Sequence, residues 1–423
     1  RTQVKSRGLK LVDSSTQPPR VHEGTTVELS RRVQAIKPSP TLAVTARAAA
    51  LKASGRDIIG LGAGEPDFDT PQHIKDAAIA AIDAGFTKYT AVDGTPSLKA
   101  AVIAKFKRDN GLDYAPKQIL VSCGGKQSFF NLAQAVINAG DEVIIPAPYW
   151  VSYPDIVILA DGKPVIVEAG IEQGFKITPA QLEAAITSKT RLFVINSPSN
   201  PTGAVYTRNE LAALGEVLRK HPQVLIASDD MYEHIRLDDV PFVNILNVCP
   251  DLYDRTLVLN GVSKAYSMTG WRIGYAAGPE AILRAMTNVQ SQSTSNPASI
   301  SQVAAEAALN GDQGCITPML DAFKARHRYV VDALNAIPGF HCVDSGGAFY
   351  AFPDVRPAIM SLLARDIIEE PTDIAFSEYL LESADVAVVP GSAFGAEGYI
   401  RLSFATSQAN LEKALKRIAL ALA

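Results

Sequence analysis

Cysteine is scarce in this chain: there are four in 423 residues, and Cys123, Cys249, Cys315 and Cys342 stand far apart with no CxxC pair. That spacing excludes a disulfide framework and a zinc ribbon, and it fits a reducing compartment. No metal centre is expected. Neither sign of charge prevails, because 40 Lys and Arg face 44 Asp and Glu and leave a net charge of −4. Without a basic field over the whole protein, nucleic acid is not an expected partner. No apolar run approaches the ~18 residues that a spanning helix requires, so no membrane helix is expected. With 47% hydrophobic and 20% charged residues, disorder, collagen and coiled coil are excluded as well. What remains is the composition of a globular enzyme. Its length suits two or three domains at ~100–200 residues each.

The first twenty residues differ from the rest, holding five basic residues (Arg1, Lys5, Arg7, Lys10, Arg20) and one acid, Asp13. They contain no apolar core of a secretory signal. An Arg- and Ser-rich, acid-poor stretch suits the end of a plastid or mitochondrial transit peptide, with a flexible tail as the alternative. Residues 1–25 are therefore set aside as a leader. Beyond them, helical periodicity in 73–85 and 97–111 alternates with short apolar runs. These runs are ILVSC (119–123), EVIIPA (142–147), PVIVEA (164–169), RLFVINS (191–197), VLIASDD (224–230), RTLVLNG (255–261) and RIGYAAG (272–278). Each reads as a strand buried on both faces, and the alternation predicts an α/β fold with a mostly parallel central sheet. After about Asn310 a long helical stretch (318–336), a strand-like GYIRLSFA and a last helix (408–422) predict a smaller α+β domain. The expected boundaries are 26–70 for the N-terminal part of the small domain, 71–315 for the large domain and 316–423 for the rest of the small one. A cleft between them would be the place for a small-molecule site.

Three strings carry chemistry. In Ser263-Lys264-Ala-Tyr-Ser-Met-Thr-Gly270-Trp271-Arg272, a lysine among uncharged residues follows an apolar strand. Burial there lowers an amine's pKa and favours Schiff-base chemistry. Arg272 offers a fixed charge for a phosphate. Ser197-Pro198-Ser199-Asn200-Pro201-Thr202-Gly203 follows a second strand, and by itself it reads more readily as a turn without chemistry. Asp229, in Ser228-Asp229-Asp230-Met231-Tyr232, ends a third strand where ligands of parallel sheets bind. Alone, it could equally cap a helix.

The order of these strings, strand then Asn-Pro-Thr-Gly, strand then Asp-x-x-Tyr, strand then Ser-Lys-x7-Arg, resembles the class I aminotransferases, pyridoxal-phosphate enzymes of the aspartate aminotransferase fold. The resemblance runs from about Val27 to the C-terminus. It implies that Lys264 binds pyridoxal 5′-phosphate covalently and then serves as the base at the substrate's Cα. Asp229 would pair with the ring nitrogen, Asn200 and Tyr232 would hydrogen-bond the ring oxygen, and Trp150 would stack on the ring face. Gly124, Gly125 and Lys126 open a helix after ILVSC, and with Ser263 and Arg272 they would cradle the phosphate. Tyr89 matches a tyrosine that reaches the phosphate of a neighbouring subunit, which implies a homodimer with shared sites. Arg401 would hold the α-carboxylate through a two-pronged fork, and Gly64 would lie against the substrate.

Gly-Glu-Pro-Asp-Phe-Asp-Thr-Pro, Gly-Gly-Lys-Gln, Pro-Tyr-Trp-Val-Ser-Tyr and Met-Thr-Gly-Trp-Arg together resemble the Ib subgroup. That subgroup contains bacterial aspartate aminotransferases and plastid enzymes acting on both aspartate and prephenate. In it the lysine matching Lys126 reads a second carboxylate, and a threonine matching Thr41 accompanies it in members that accept prephenate. The expected activity is transamination between aspartate, glutamate and 2-oxo acids, with prephenate to arogenate as a second reaction. The alternatives are an aspartate enzyme without prephenate activity, or an aromatic or alanine aminotransferase. The basic leader favours a plastid setting, with the bacterial cytoplasm behind it.

Overall fold

A computed structural model describes residues 27–423; the leader expected over 1–25 lies outside the described residues. The strands are β1 (Ile59–Gly60), β2 (Ile119–Ser122), β3 (Glu142–Ala147), β4 (Lys163–Glu168), β5 (Thr190–Asn196), β6 (Leu225–Asp229), β7 (Thr256–Gly261) and β8 (Gly274–Ala277), followed by β9 (Tyr350–Ala351), β10 (Val386–Ala387), β11 (Val389–Pro390) and β12 (Ile400–Ser403). Seven of them form one sheet in the order β2-β8-β7-β6-β5-β3-β4. Pairing is parallel from β4 across to β7, and β8 runs antiparallel to both its neighbours. The protein is thus α/β with a mostly parallel central sheet, as the apolar runs predict.

One strand departs from that reading. β4 was expected to be buried on both faces, yet its residues are half-buried or exposed, Ile166 among them. The cause is position: β4 is the edge of the sheet and pairs with β3 alone. The six other strands have mostly buried side chains. One face of the sheet packs Leu120, Val143, Ile145, Leu192 and Leu257 against Phe129, Leu132 and Met286 of the helices Gly125–Val136 and Glu280–Ser291. Ile119, Ile144, Phe193, Ile226 and Val258 belong to the main core on the opposite side. Fully burying each of these side chains is worth roughly 1.5–3 kcal/mol.

The C-terminal part forms a three-stranded sheet in the order β11-β12-β9, backed by the helices Thr317–Asn335, Asp373–Ala384 and Gln408–Leu422. The N-terminal segment joins this region, because β1 pairs in parallel with β10. Ahead of β1, the helix Pro40–Ala53 starts with a proline in its first turn and with Ser39 capping the Leu42 N–H.

Candidate active site

The carboxyl ends of four strands of the central sheet converge on one place. β5 ends at Asn196 and β6 at Asp229, and these two are register partners. β7 ends at Gly261, two residues before Ser263 and three before Lys264. β2 ends at Ser122, just before Gly124 and Gly125. The reversed strand β8 completes the set from the other direction. Its first residue, Gly274, lies opposite both Ser122 and Gly261, so Arg272 is delivered to the same end of the sheet. A side chain on Gly274 would meet the Gly125 nitrogen at 2.4 Å, so only glycine lets β8 pass against this turn.

A cavity of about 470 Å³ opens there, lined by Thr41, Gly64, Gly125, Lys126, Trp150, Asn200, Asp229, Tyr232, Ser263, Lys264, Arg272 and Arg401. Of the residues expected at the site, the structure leaves out two. Gly124 stands directly behind the cavity, at φ +85°, where a Cβ would meet the Arg272 guanidinium at 2.3 Å. Tyr89 is 92% exposed and lines a separate surface hollow with Thr87, Lys88 and Asn296.

Charge sets the character of the cavity. Its lining holds four cations, Lys126, Lys264, Arg272 and Arg401, against two acids, Glu65 and Asp229. Among the described residues, none of the four cations forms an ion pair with a carboxylate. Arg401, on β12, is 2% exposed. It donates from Nη1 to Asn200 Oδ1 at 2.8 Å and from Nη2 to the Gly62 carbonyl at 2.7 Å. Its Nε finds no acceptor, and its guanidinium lies 4.4 Å from the Tyr350 ring centre. A surface arginine is thereby excluded. A buried guanidinium without a counter-ion is costly to keep unless an anion arrives. Lys126 occupies the first turn of the helix Gly125–Val136, a place the helix dipole makes unfavourable for a cation. Its amine sits 5.3 Å from the Trp150 ring centre. Burial, and then the nearby Arg272 charge, lower its pKa.

Lys264 donates its ammonium to the Gly64 carbonyl. Burial, reinforced by Arg401, brings its pKa down to about 8. Asp229 is driven the other way, its pKa raised by burial against the opposing pull of Tyr153, the Met231 N–H and Lys264. Asn196 links the strand ends, donating to the Asp229 carbonyl at 3.2 Å and accepting from the Asn200 N–H at 2.9 Å. Tyr232 and Tyr350 share a hydrogen bond between their hydroxyls at 2.8 Å.

The turn carrying Asp229 and Tyr232 is fixed from behind by two buried acids. Asp230 accepts from Ser228 Oγ at 2.8 Å and Asn244 Nδ2 at 2.5 Å. Glu233 accepts from Lys105, from Asn110 at 2.8 Å and from Asn260 at 2.7 Å. Burial alone would raise the Glu233 pKa, but the Lys105 charge brings it below the ordinary value.

Sequence reasoning missed Tyr153, Asn196, Tyr350, Glu65 and Thr45 as parts of this neighbourhood. Tyr153 and Glu65 lie inside strings already quoted, whereas Tyr350 reaches the site through pairing of β9 with β12. A second cavity, of about 550 Å³, offers Lys176, Arg208 and Arg236. Lys176 and Arg236 are already paired, with Glu210 at 2.8 Å and Asp238 at 2.6 Å, whereas Arg208 is exposed and donates to the Asn247 carbonyl at 3.4 Å. What sets the first cavity apart is that its unpaired cations include a fully buried one, Arg401.

Residues 56–418 match the family model for aminotransferase class I and II. An aspartate/prephenate aminotransferase of Nitrosomonas europaea is 69% identical over 393 residues, covering 93% of this chain and 99% of the relative. One from Cereibacter sphaeroides is 58% identical over 390 residues, covering 92% and 97%. Among solved structures, the aspartate aminotransferase from Rhizobium meliloti superposes with a TM-score of 0.89 at 50% identity, over 94% of this chain and 99% of that one. The Thermus thermophilus aspartate aminotransferase with maleate gives 0.87 at 44%, over 94% and 100%. The Nitrosomonas and Cereibacter relatives are bacterial and lend no support to the plastid setting expected from the leader. No helix among the described residues is long and apolar enough to cross a membrane.

Proposed function

This chain belongs to the class I and II aminotransferases, and we propose that it moves amino groups between aspartate or glutamate and 2-oxo acids, prephenate included. The family uses pyridoxal 5′-phosphate, and the residues present suit that group. A glycine turn at a helix start, backed by Arg272 and Ser263, has the donor chemistry of a phosphate cradle. A part-buried acid faces a part-buried amine whose pKa of about 8 keeps it partly neutral near physiological pH. The cofactor would be held by Lys264, by Asp229 at its ring nitrogen, by Asn200 and Tyr232 at its ring oxygen and by Trp150 on its face. Bound there, it supplies an electron sink for the bond broken at the substrate's Cα.

The protein's own residues do the rest. Arg401 clamps the α-carboxylate and so orients the Cα–H bond. Lys264 Nζ takes the proton from Cα, a task for which a lowered pKa fits it. Asp229, kept anionic, balances charge at the far side of the site, and Tyr232 donates from its hydroxyl. Lys126, with Thr41 nearby, receives the substrate's second carboxylate. A monocarboxylate would leave that ammonium without its carboxylate partner.

The observation that carries this reading is the excess of cations without acidic partners in one cavity. Two of them, beyond those serving the phosphate and the covalent link, suit a dicarboxylate. Maleate, named with the Thermus relative, is one. Names among the relatives extend the acceptors to prephenate. The bacterial relatives favour a bacterial cytoplasm. Tyr89, exposed in a single chain, suits a homodimer in which it reaches the partner's phosphate site.

Steady-state rates with aspartate, glutamate, alanine and phenylalanine as donors test the dicarboxylate reading. Aspartate and glutamate should exceed the other two in kcat/KM by about ten-fold or more, the worth of one ion-paired carboxylate. Alanine or phenylalanine as the best donor would overturn it.

A further inference from the structure

Asp229 has an unusual neighbour. Tyr153, in the first turn of the helix Ser152–Leu159, is 1% exposed and donates its hydroxyl to Asp229 Oδ2 at 2.5 Å. The other oxygen, Oδ1, takes only the Met231 N–H at 3.3 Å. Each carboxylate oxygen has two acceptor sites, so the side facing the cavity keeps capacity for a further donor. The Tyr153 ring is itself locked, edge-on to Phe129 at 4.8 Å and to Trp150 at 5.1 Å. A single side chain therefore braces both the buried acid and the aromatic residue across the cavity.

We propose that Tyr153 is a positioning residue that keeps Asp229 ionised and aimed at the ring nitrogen of the cofactor. The inference rests on the reading of Asp229 given above. Its physical basis is a contest between desolvation and donation. Burial pushes the Asp229 carboxyl toward its neutral form, and hydrogen bonds to the charged form oppose that push. An acid that became neutral could not hold a proton on a ring nitrogen. Titratable groups facing this pair are Lys264 from the loop after β7 and Tyr232 and Asp230 from the turn of Asp229 itself. Lys264 leaves the pair for the substrate during turnover, so its charge is not a permanent support. The Met231 N–H is long. That leaves Tyr153 as the strong fixed donor, and burial together with the adjacent carboxylate raises its phenol pKa well above the usual value. The donor therefore stays protonated throughout the working range.

The test uses holoenzyme loaded with pyridoxal phosphate labelled with nitrogen-15 in the ring. The ring-nitrogen resonance of the unaltered protein should report a protonated nitrogen. In Tyr153→Phe, which keeps the ring packing, it should move toward the unprotonated position by roughly half or more of the displacement seen in Asp229→Ala. The same variant should bind the cofactor about ten-fold more weakly, as expected for one hydrogen bond to a charged group. 3-Fluorotyrosine at position 153 keeps the shape and hydroxyl but is a more acidic donor, so it should move the resonance the opposite way; it also serves if the phenylalanine variant does not fold. If Asp229→Ala displaces the resonance while neither change at 153 does, Tyr153 has no such role. If Asp229→Ala leaves the resonance where it was, the reading of Asp229 itself fails.

Discussion

A guanidinium buried without a counter-ion is an unfinished interaction, and Arg401 is one: 2% exposed, two hydrogen bonds to neutral oxygens and an Nε without an acceptor. Arg401→Gln should therefore lower kcat/KM about 100-fold for every amino and oxo acid, since the α-carboxylate is common to them all. Lys126→Gln should behave differently, costing roughly 10–100-fold with aspartate and prephenate while leaving alanine or phenylpyruvate nearly unchanged. Steady-state kinetics across the four substrates would separate the two. Lys264 makes a pH prediction. Its pKa of about 8 means that the amine is protonated below that pH and neutral above it, and only the neutral form attacks an aldehyde. Cofactor added to apoenzyme should give its visible band at a rate that rises with pH and levels off above about 8. A rate independent of pH between 6 and 9 would contradict the assignment. At this scale the sequence was informative where local strings carry the chemistry. Asn200, Asp229, Tyr232, Lys264 and Arg401 all reach one cavity. It was silent on Tyr350, because only the pairing of β9 with β12 brings that hydroxyl to Tyr232.

Among the elements, the turn after β6 depends most on distant support. The helix Pro96–Lys105 continues as a π-helical turn over Phe106–Asn110. The wider turn sets Lys105 and Asn110 side by side at 2.7 Å, and both reach Glu233. Periodicity predicted one helix across 97–111, and apolar spacing has no means of marking the change in winding. Lys105→Met should destabilise the protein by about 3–5 kcal/mol, because it strands a buried carboxylate. Denaturant unfolding would measure it, and a loss under about 1 kcal/mol would show that the pair is dispensable. Strands were the most legible elements, since runs such as ILVSC and RLFVINS are apolar at successive positions and are buried at them. β4 misled for a reason of place: PVIVEA is as apolar as a central strand, and only sheet order makes it an edge.

For the whole molecule, the exposed apolar residues bear on assembly. Ile79, Ile82 and Phe86 are exposed on the helix Gln72–Asp83 and just beyond it, close in sequence to Tyr89. An exposed apolar face of this kind suits a contact surface, and a two-fold dimer would repeat it on both chains. Sedimentation should give twice the chain mass. Ile82→Glu should shift the protein toward monomer and weaken cofactor binding together, because Tyr89 would lose the partner's site; a monomer of undiminished affinity would remove Tyr89 from the phosphate. The family and fold were legible from three strings in order, whereas the setting was not, since a basic leader is compatible with several compartments. The central claim concerns what the cavity accepts. The most direct test is to supply the cofactor-loaded enzyme with glutamate or aspartate plus prephenate and identify the amino product by mass. The account predicts arogenate. Prephenate left untouched while oxaloacetate is aminated would contradict it and reduce Thr41 to a bystander.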